Sequence, residues 1–440
     1  MASATPRIAI IGAGPAGSML ARLLHQAGIT STIFEGEASP NFRSQGGSLD
    51  LHTSTGLAAI KQAGLWTEFL EKARFESDFL QLADKDLNIV FRKAGAPAPK
   101  ADGAKKENSL NDQRPEIDRS ELRRLLVESV PKGTIRWGHH LERVEAGGTL
   151  VFRDGTTETG FDLVVGADGA WSKVRALLSD VKPSFAGVGY HELSLQDPEH
   201  TAPELYAAVR GGNLFAYAEG RKLTAQQMGD GSFHISINLA TDDAEWASHC
   251  GYDPSNLDET KKAYLDGPFA DWHPTLRQAI ARAGPRCIGR SLWHLPVGFR
   301  WAHQRGATLV GDAAHLMTPY AGEGVNVALE DAMKLAQGIV DAVGKHPAGG
   351  AAQRDALDAA VAAYEDDMFP RTKKVTKLTA ELLRLWMHTP GTPQAVIPDV
   401  MSEHVRYHAP AVAYPFVSLA MRSYIYLLRL AKGPDTTIEV

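Results

Sequence analysis

Ile8-Ala9-Ile10-Ile11-Gly12-Ala13-Gly14-Pro15-Ala16-Gly17 is a continuous apolar run that breaks into a glycine-rich turn. The run has the texture of a strand buried on both faces. A helical pattern follows, with Leu20, Leu23, Leu24 and Ala27 on one face and Gly28 as its stop. A second strand, Ser31-Thr32-Ile33-Phe34, closes on Glu35. Each residue type has a task in such a strand–turn–helix–strand unit. Gly12 permits the tight turn, Gly14 lets the backbone approach a phosphate, and Gly17 lets helix and strand pack closely. Ala16, inside the same turn, joins the cofactor-binding set. The helix N-terminus offers free N–H groups to a pyrophosphate. Glu35 accepts ribose hydroxyls and repels a 2′-phosphate, so the site reads as one for FAD or NAD rather than NADP. A glycine turn in an unrelated α/β protein is the plainer alternative.

A second glycine-rich segment lies far along the chain: Gly311-Asp312-Ala313-Ala314-His315-Leu316-Met317-Thr318-Pro319-Tyr320-Ala321-Gly322-Glu323-Gly324-Val325-Asn326. It follows the buried-strand pattern Ala307-Thr308-Leu309-Val310 and leads into a helix over about 325–343. A third buried strand, Phe161-Asp162-Leu163-Val164-Val165, enters Gly166-Ala167-Asp168-Gly169. Between the second and third of these units, from about Phe185 to Leu239, short alternating runs such as Phe233-His234-Ile235-Ser236-Ile237 indicate an antiparallel sheet.

The expected fold is therefore α/β: a Rossmann-like FAD-binding domain, an inserted antiparallel β-sheet substrate domain, and C-terminal bracing helices. The divisions are 1–180 and 276–374 for the FAD-binding domain, 181–275 for the substrate domain and 375–440 for the helical tail. Helices are expected near 119–126, capped by Asp118 or Ser120, from Val375 to Met387, and over about 412–430.

Composition narrows the classes. At 440 residues the chain exceeds one simple core, and its formal net charge is −6. No basic stripe interleaved with aromatics points to nucleic acid, and Lys105-Lys106 reads as solvated surface. Cys250 and Cys287 have neither metal nor disulfide spacing, which fits a reducing, cytoplasmic setting. The N-terminus lacks the apolar core of a signal peptide. The stretch from Ala411 to Met421 is too short to span a bilayer, so no membrane association is expected.

With its motifs in this order, roughly residues 7 to 385 resemble the group A flavoprotein monooxygenases, of para-hydroxybenzoate hydroxylase-like fold. Gly46-Gly47-Ser48-Leu49-Asp50-Leu51-His52 and Arg114-Pro115-Glu116-Ile117-Asp118-Arg119-Ser120-Glu121-Leu122-Arg123 draw the resemblance toward the tetracycline-inactivating TetX branch. The resemblance implies that Asp312 bonds the ribityl chain of FAD. It also implies that Pro319, Gly322, Gly324 and Val325 lie against the isoalloxazine ring and that Asp50 sits near it. Arg119 and Arg123 would face the phosphates or ribityl chain, Arg43 would meet NADPH, and Asp168 would serve both flavin and NADPH. Where the family often has Arg after the ribose-binding acid, this chain has Gly36. The TetX branch holds its polycyclic substrate with a Gln, an Arg and a His. The corresponding substrate positions here fall at His191, Asn213 and His234, with Pro319 beside them, and only the His matches. A polycyclic, tetracycline-like molecule stays one candidate substrate, supported at these positions by the His alone.

The implied activity is an NADPH-consuming hydroxylation of an electron-rich aromatic or enol-containing small molecule by molecular oxygen, through a flavin C4a-hydroperoxide. The flavin bears the chemistry, and no catalytic side chain or metal site is assigned. Plainer readings stand beside several residues: a surface ion pair for Arg119 and Arg123, a satisfied sheet histidine for His234, and a structural role for His315. Trp171, Trp293 and Trp301 read as core. Other functions stay open. A halogenase of this fold would carry Trp-x-Trp-x-Ile-Pro, which Trp293-His294-Leu295-Pro296 resembles only superficially. A reductase would not consume oxygen, and a ligand-sequestering flavoprotein would not turn over.

Overall fold

The structure, a computed structural model, describes residues 5–40, 46–75, 79–93, 114–346, 349–408, 414–433 and 436–439. Arg43, the Lys105-Lys106 pair and the whole Gly95–Gly103 loop lie outside these residues.

Ile8–Ile11 is buried at every position and sits at the centre of a five-stranded parallel sheet. Ser31–Phe34 pairs with it on one side and Leu163–Gly166 on the other. Ile135–Arg136 and Ala307–Leu309 are the outer strands. Helix Pro15–Gln26 buries Met19, Leu20, Leu23 and Leu24 and stops at Gly28, whose φ of +73° suits a residue without Cβ. Helix Gly324–Gly344 packs against it. The two glycine motifs touch: a methyl group on Gly311 would lie 3.2 Å from Ala328 Cβ and 3.4 Å from Ala16 Cβ.

The second sheet has eight strands, in the order Cys287–His294, Ser184–Leu195, Phe233–Ala240, Arg221–Gln227, Asn213–Ala218, Leu80–Asp84, Ile89–Lys93 and Ile438–Glu439. It extends beyond the expected 181–275 by taking strands from 80–93, 287–294 and 438–439. The strands at 80–93 and 438–439 are short, and nothing in the alternation of any of these segments says which sheet it joins. Pairing is antiparallel except where Asn213–Ala218 meets Leu80–Asp84 and Ile89–Lys93 meets Ile438–Glu439.

The two faces of this sheet follow the period of two. Its back face carries Leu193, Leu214, Ala216, Leu223, Ala225, Ile235 and Ile237, packed on Leu205, Tyr264, Leu276 and Ile280. Its front face carries Asn213, Phe215, Tyr217, Lys222, Gln226, His234 and Asn238 and looks toward the parallel-sheet half.

The helix expected from Val375 spans Ala351–His388, because Pro370 lies inside it rather than ending it. One part reaches the parallel sheet through the buried Glu365, which accepts hydrogen bonds from Trp301 Nε1 (3.0 Å) and Thr308 Oγ1 (2.8 Å). The other reaches the eight-stranded sheet, where Trp386 stacks on Tyr217 at 4.4 Å. Helix Tyr414–Lys432 packs on Ile397–His408 and leaves Phe416, Leu419, Tyr426 and Leu430 exposed. Among the described residues no helix is long and apolar enough to cross a membrane.

Two local expectations are corrected. Asp118 stands at the N-cap of helix Arg119–Glu128 without capping it, because its carboxylate is drawn to Arg74 Nη1 (2.6 Å) and Gly229 N (3.1 Å). Trp301 is core, but Trp171, on the turn after Gly169, is 56% exposed and meets Trp293 edge-on at 5.1 Å.

Candidate functional site

The N-terminal glycines divide by what surrounds them. Gly12 has φ +106°, and a Cβ there would strike the Ala167 carbonyl. A Cβ on Gly17 would run into the Gly12 carbonyl oxygen. Both are needed for the chain to pack. Gly14 differs: its φ of −74° suits any residue, and a methyl group there would meet nothing within 4 Å. Open space therefore lies directly over the uncapped N-terminus of Pro15–Gln26, where first-turn N–H groups have no intrahelical acceptor. Glu35 faces the same loop. Its carboxylate accepts from Ala13 N at 2.7 Å and Glu37 N at 2.9 Å, and its remaining lone pairs can take ribose hydroxyls. A Cβ on Gly36 would lie 2.8 Å from His140 Nδ1, so His140 fills the space an arginine stem would need.

The second set of groups comes from the late motif. Asp312 is exposed at the start of a four-residue helix and carries no hydrogen bond or ion pair among the described residues. Behind it, the fully buried Asp331 fixes the motif. It accepts from Gly311 N (3.0 Å), His315 Nε2 (2.5 Å) and Arg371 Nη1 (3.1 Å). Burial opposes the Asp331 charge, but His315, Arg371 and the Gly311 N–H outweigh it and hold the pKa low. His315 is thus structural. After the Pro319–Ala321 turn, Gly322 has φ +70° and Gly324 opens the next helix, where a methyl group would again meet nothing within 4 Å. Val325 follows in the helix's first turn.

Asp50 stands beside Gly322, 3.6 Å from where its Cβ would be. Three residues of the two segments form a line that sequence reading did not assign. Asp50 Oδ2 is 3.0 Å from His52 Nε2, and Glu323 Oε2 is 3.3 Å from His52 Nδ1. Asn326 locks the segments together, donating to the Asp50 carbonyl at 2.9 Å and accepting from His52 N at 2.8 Å. Burial works against a charge on His52, but its two carboxylate partners override that and raise its pKa to about 9. Its stabilising contribution is therefore complete below pH 6.5 and is lost as the pH rises toward 9. The melting-temperature gap between the parent and His52→Ala should accordingly be widest at and below pH 6.5 and shrink by pH 9. A gap that is constant across that window would dismiss the ion-paired imidazolium.

Other expected cofactor residues are placed differently. Arg123 is buried and paired with Glu37 at 2.7 Å, whereas Arg119 is exposed, so the two do not present one face. The pull of Glu37 on Arg123 overrides the shared helical face. Asp168 closes its own loop, accepting from Ser172 Oγ (2.5 Å) and Lys173 N (2.6 Å), and burial raises its pKa against those bonds.

On the eight-stranded sheet the three expected substrate residues separate by face. His191 lies on the back face, fully buried, with its ring nitrogens engaged by Tyr264 Oη (2.7 Å) and the Pro254 carbonyl (2.9 Å). It is removed from the substrate set, because register sends it away from its neighbours Tyr190 and Glu192. Burial lowers its pKa to about 4. Asn213 and His234 are on the front face. Asn213 donates to Glu116 Oε1 at 2.6 Å and accepts from Gln226 Nε2 at 3.0 Å. Burial pushes Glu116 up to about 7, offset in part by the Asn213 and Ser48 bonds. His234 faces the Gly46-Gly47 segment, where a Cβ on Gly46 would lie 2.9 Å from His234 Nδ1, and burial lowers its pKa to about 4.

Two uncapped helix N-termini, two glycines with open space and an unpaired Asp312 carboxylate fit a flavin dinucleotide. Comparison with known proteins agrees. The profile of the FAD binding domain family matches residues 5–379. The chain is 34% identical to the monooxygenase penA of Penicillium thymicola over 88% of this chain and 97% of that protein. It is 27% identical to the 6-hydroxynicotinate 3-monooxygenase of Pseudomonas fluorescens, over 89% of this chain and 94% of that one. The solved structure of the tetracycline destructase Tet(55) matches it with a TM-score of 0.65 at 18% identity, covering 92% and 97% of the two chains, which shows a common fold.

Proposed function

The chain belongs to the FAD binding domain family of flavoprotein monooxygenases, and from that premise we propose which residues hold the cofactor and what the enzyme acts on. It is an FAD-dependent monooxygenase. Gly12, Gly14, Ala16 and Gly17 receive the pyrophosphate at the helix N-terminus, and Glu35 takes the adenosine ribose. Asp312 takes the ribityl hydroxyls. Pro319, Gly322, Gly324 and Val325 border the ring, with the N–H groups of the Gly324–Gly344 helix at its pyrimidine edge. Bound there, FAD supplies hydride acceptance and oxygen activation. The protein's part is orientation, exclusion of water and fixed dipoles.

The substrate is an electron-rich aromatic or enol-containing small molecule held between the Pro319–Gly324 turn and the front face of the eight-stranded sheet. Asn213 and His234 belong to that face. NADPH is the reductant, visiting the flavin without a dinucleotide domain of its own. The free thiols of Cys250 and Cys287 agree with a cytoplasmic setting. The uncrowded space at Gly14 and Gly324 carries this assignment.

Oxygen uptake by the FAD-loaded protein tests it. NADPH and oxygen consumption should rise with one ligand among phenols, heteroaromatic acids, enols and tetracyclines, and the product should be heavier by one oxygen. Ligand reduction without oxygen uptake would make the protein a reductase. NADPH oxidation indifferent to every ligand would favour sequestration without turnover.

A further inference from the structure

On the front face of the eight-stranded sheet, Lys222 is half-buried without an anion. Its Nζ lies 4.7 Å from the Phe215 ring centre, 4.9 Å from that of Tyr320 and 5.5 Å from that of Tyr217. No hydrogen bond or ion pair joins it to any described residue. Asp84, opposite Tyr217 on the next strand, has its carboxylate committed to Asp86 N, Asn88 and Gln394. A cation–π cage offsets only part of the cost of desolvating an ammonium. Burial alone lowers its pKa to about 8.

The polar groups around it are neutral. Tyr320 belongs to the flavin-side turn Pro319–Ala321, and its buried hydroxyl interacts with the Asn238 side chain. Asn238 is the cross-strand partner of Lys222, and its side-chain oxygen is within 2.9 Å of Ser236 Oγ, which leaves its amide N–H groups to donate. An ammonium, a phenol and a carboxamide thus meet between substrate sheet and flavin turn, and the ammonium is the one charge among them. Buried charges are normally paired, so an ammonium held in this cage without an ion-pair partner calls for an anion from outside.

We propose that Lys222, with Tyr320 and Asn238, binds the oxyanion of the aromatic substrate, a phenolate, enolate or ring carboxylate. This rests on the reading of the chain as an aromatic hydroxylase and names the substrate class as anionic. Lys222 sets substrate charge and orientation, while the flavin carries the reaction.

Equilibrium dialysis of the FAD-loaded protein against 4-nitrobenzoate, 4-nitrophenol and 4-nitroanisole tests it. These probes share a ring and differ in charge. The parent should bind at least one of the two acids about tenfold more tightly than the neutral ether. Preference for the benzoate identifies a carboxylate site, and preference for the phenol identifies a phenolate site. Lys222→Met should abolish the preference without lowering the melting temperature, since it removes an unpaired cation from an apolar cage. Lys222→Arg should keep most of it. Should Lys222→Met fail to fold, Lys222→Gln serves the same comparison.

Equal binding of all three probes by the parent, or no binding of any, overturns the proposal, as does an anion preference that survives in Lys222→Met. Either result leaves the hydroxylase reading intact if ligand-stimulated oxygen uptake persists. Failure of that reading would instead show as absent oxygen uptake with every ligand.

Discussion

Gly14→Val should weaken FAD binding about a hundredfold, about 3 kcal/mol, while leaving the apoprotein as stable as the parent. The expectation follows from the contrast between neighbouring glycines. At Gly14 the backbone suits any residue, and a new side chain enters open space. Its methyl groups would stand where the pyrophosphate must approach the helix N-terminus. Gly17→Ala should do the reverse. Its methyl group collides with the Gly12 carbonyl, so helix and strand must separate, at a cost of about 1–3 kcal/mol to the apoprotein. Thermal melting of the apoproteins and titration of FAD by fluorescence quenching would separate the two. If Gly14→Val melted early and bound FAD normally, the pyrophosphate assignment would fall.

Asp331→Ala should destabilise the protein by about 3–5 kcal/mol, the usual cost of removing one partner from a buried ion pair. The carboxylate has no exposure, and its loss leaves His315 Nε2 and the Gly311 N–H without their acceptor, while Arg371 keeps Glu330 and Asp367. Gly311 holds Asp312 in place, so the surviving folded fraction should also lose FAD faster. Asp331→Asn keeps one acceptor oxygen and should fall between parent and alanine variant. Denaturant unfolding with FAD dissociation rates checks both parts. An alanine variant as stable as the parent would mean that the motif is held by backbone packing alone.

Five residues show where the sequence stopped being readable. Asp331 lies within a helical pattern, and nothing local marks it as the anchor of a loop twenty positions earlier. Glu323 precedes a helix and reads as part of a glycine turn, but its partner His52 comes from the other end of the chain. Arg123 shares a helical face with Arg119, yet Glu37 captures it. His191 and His234 both sit in alternating strands, and only the register between strands sends one to the back core and the other to the front.

Local pattern along the chain is enough to give the strand–glycine–helix units, the acid at Glu35, the order of the motifs and hence the flavin fold. These are short-range patterns: hydrophobic period, helix-start chemistry, and glycine where a Cβ would collide. Long-range contacts set the strand composition of the eight-stranded sheet, the face each of its residues presents, and the pairing of Asp50, His52 and Glu323. They also leave Lys222 among aromatic rings with no ion-pair partner among the described residues. Register and charge pairing depend on which distant segments meet, and a one-residue slip would turn every side chain of a strand to the other face.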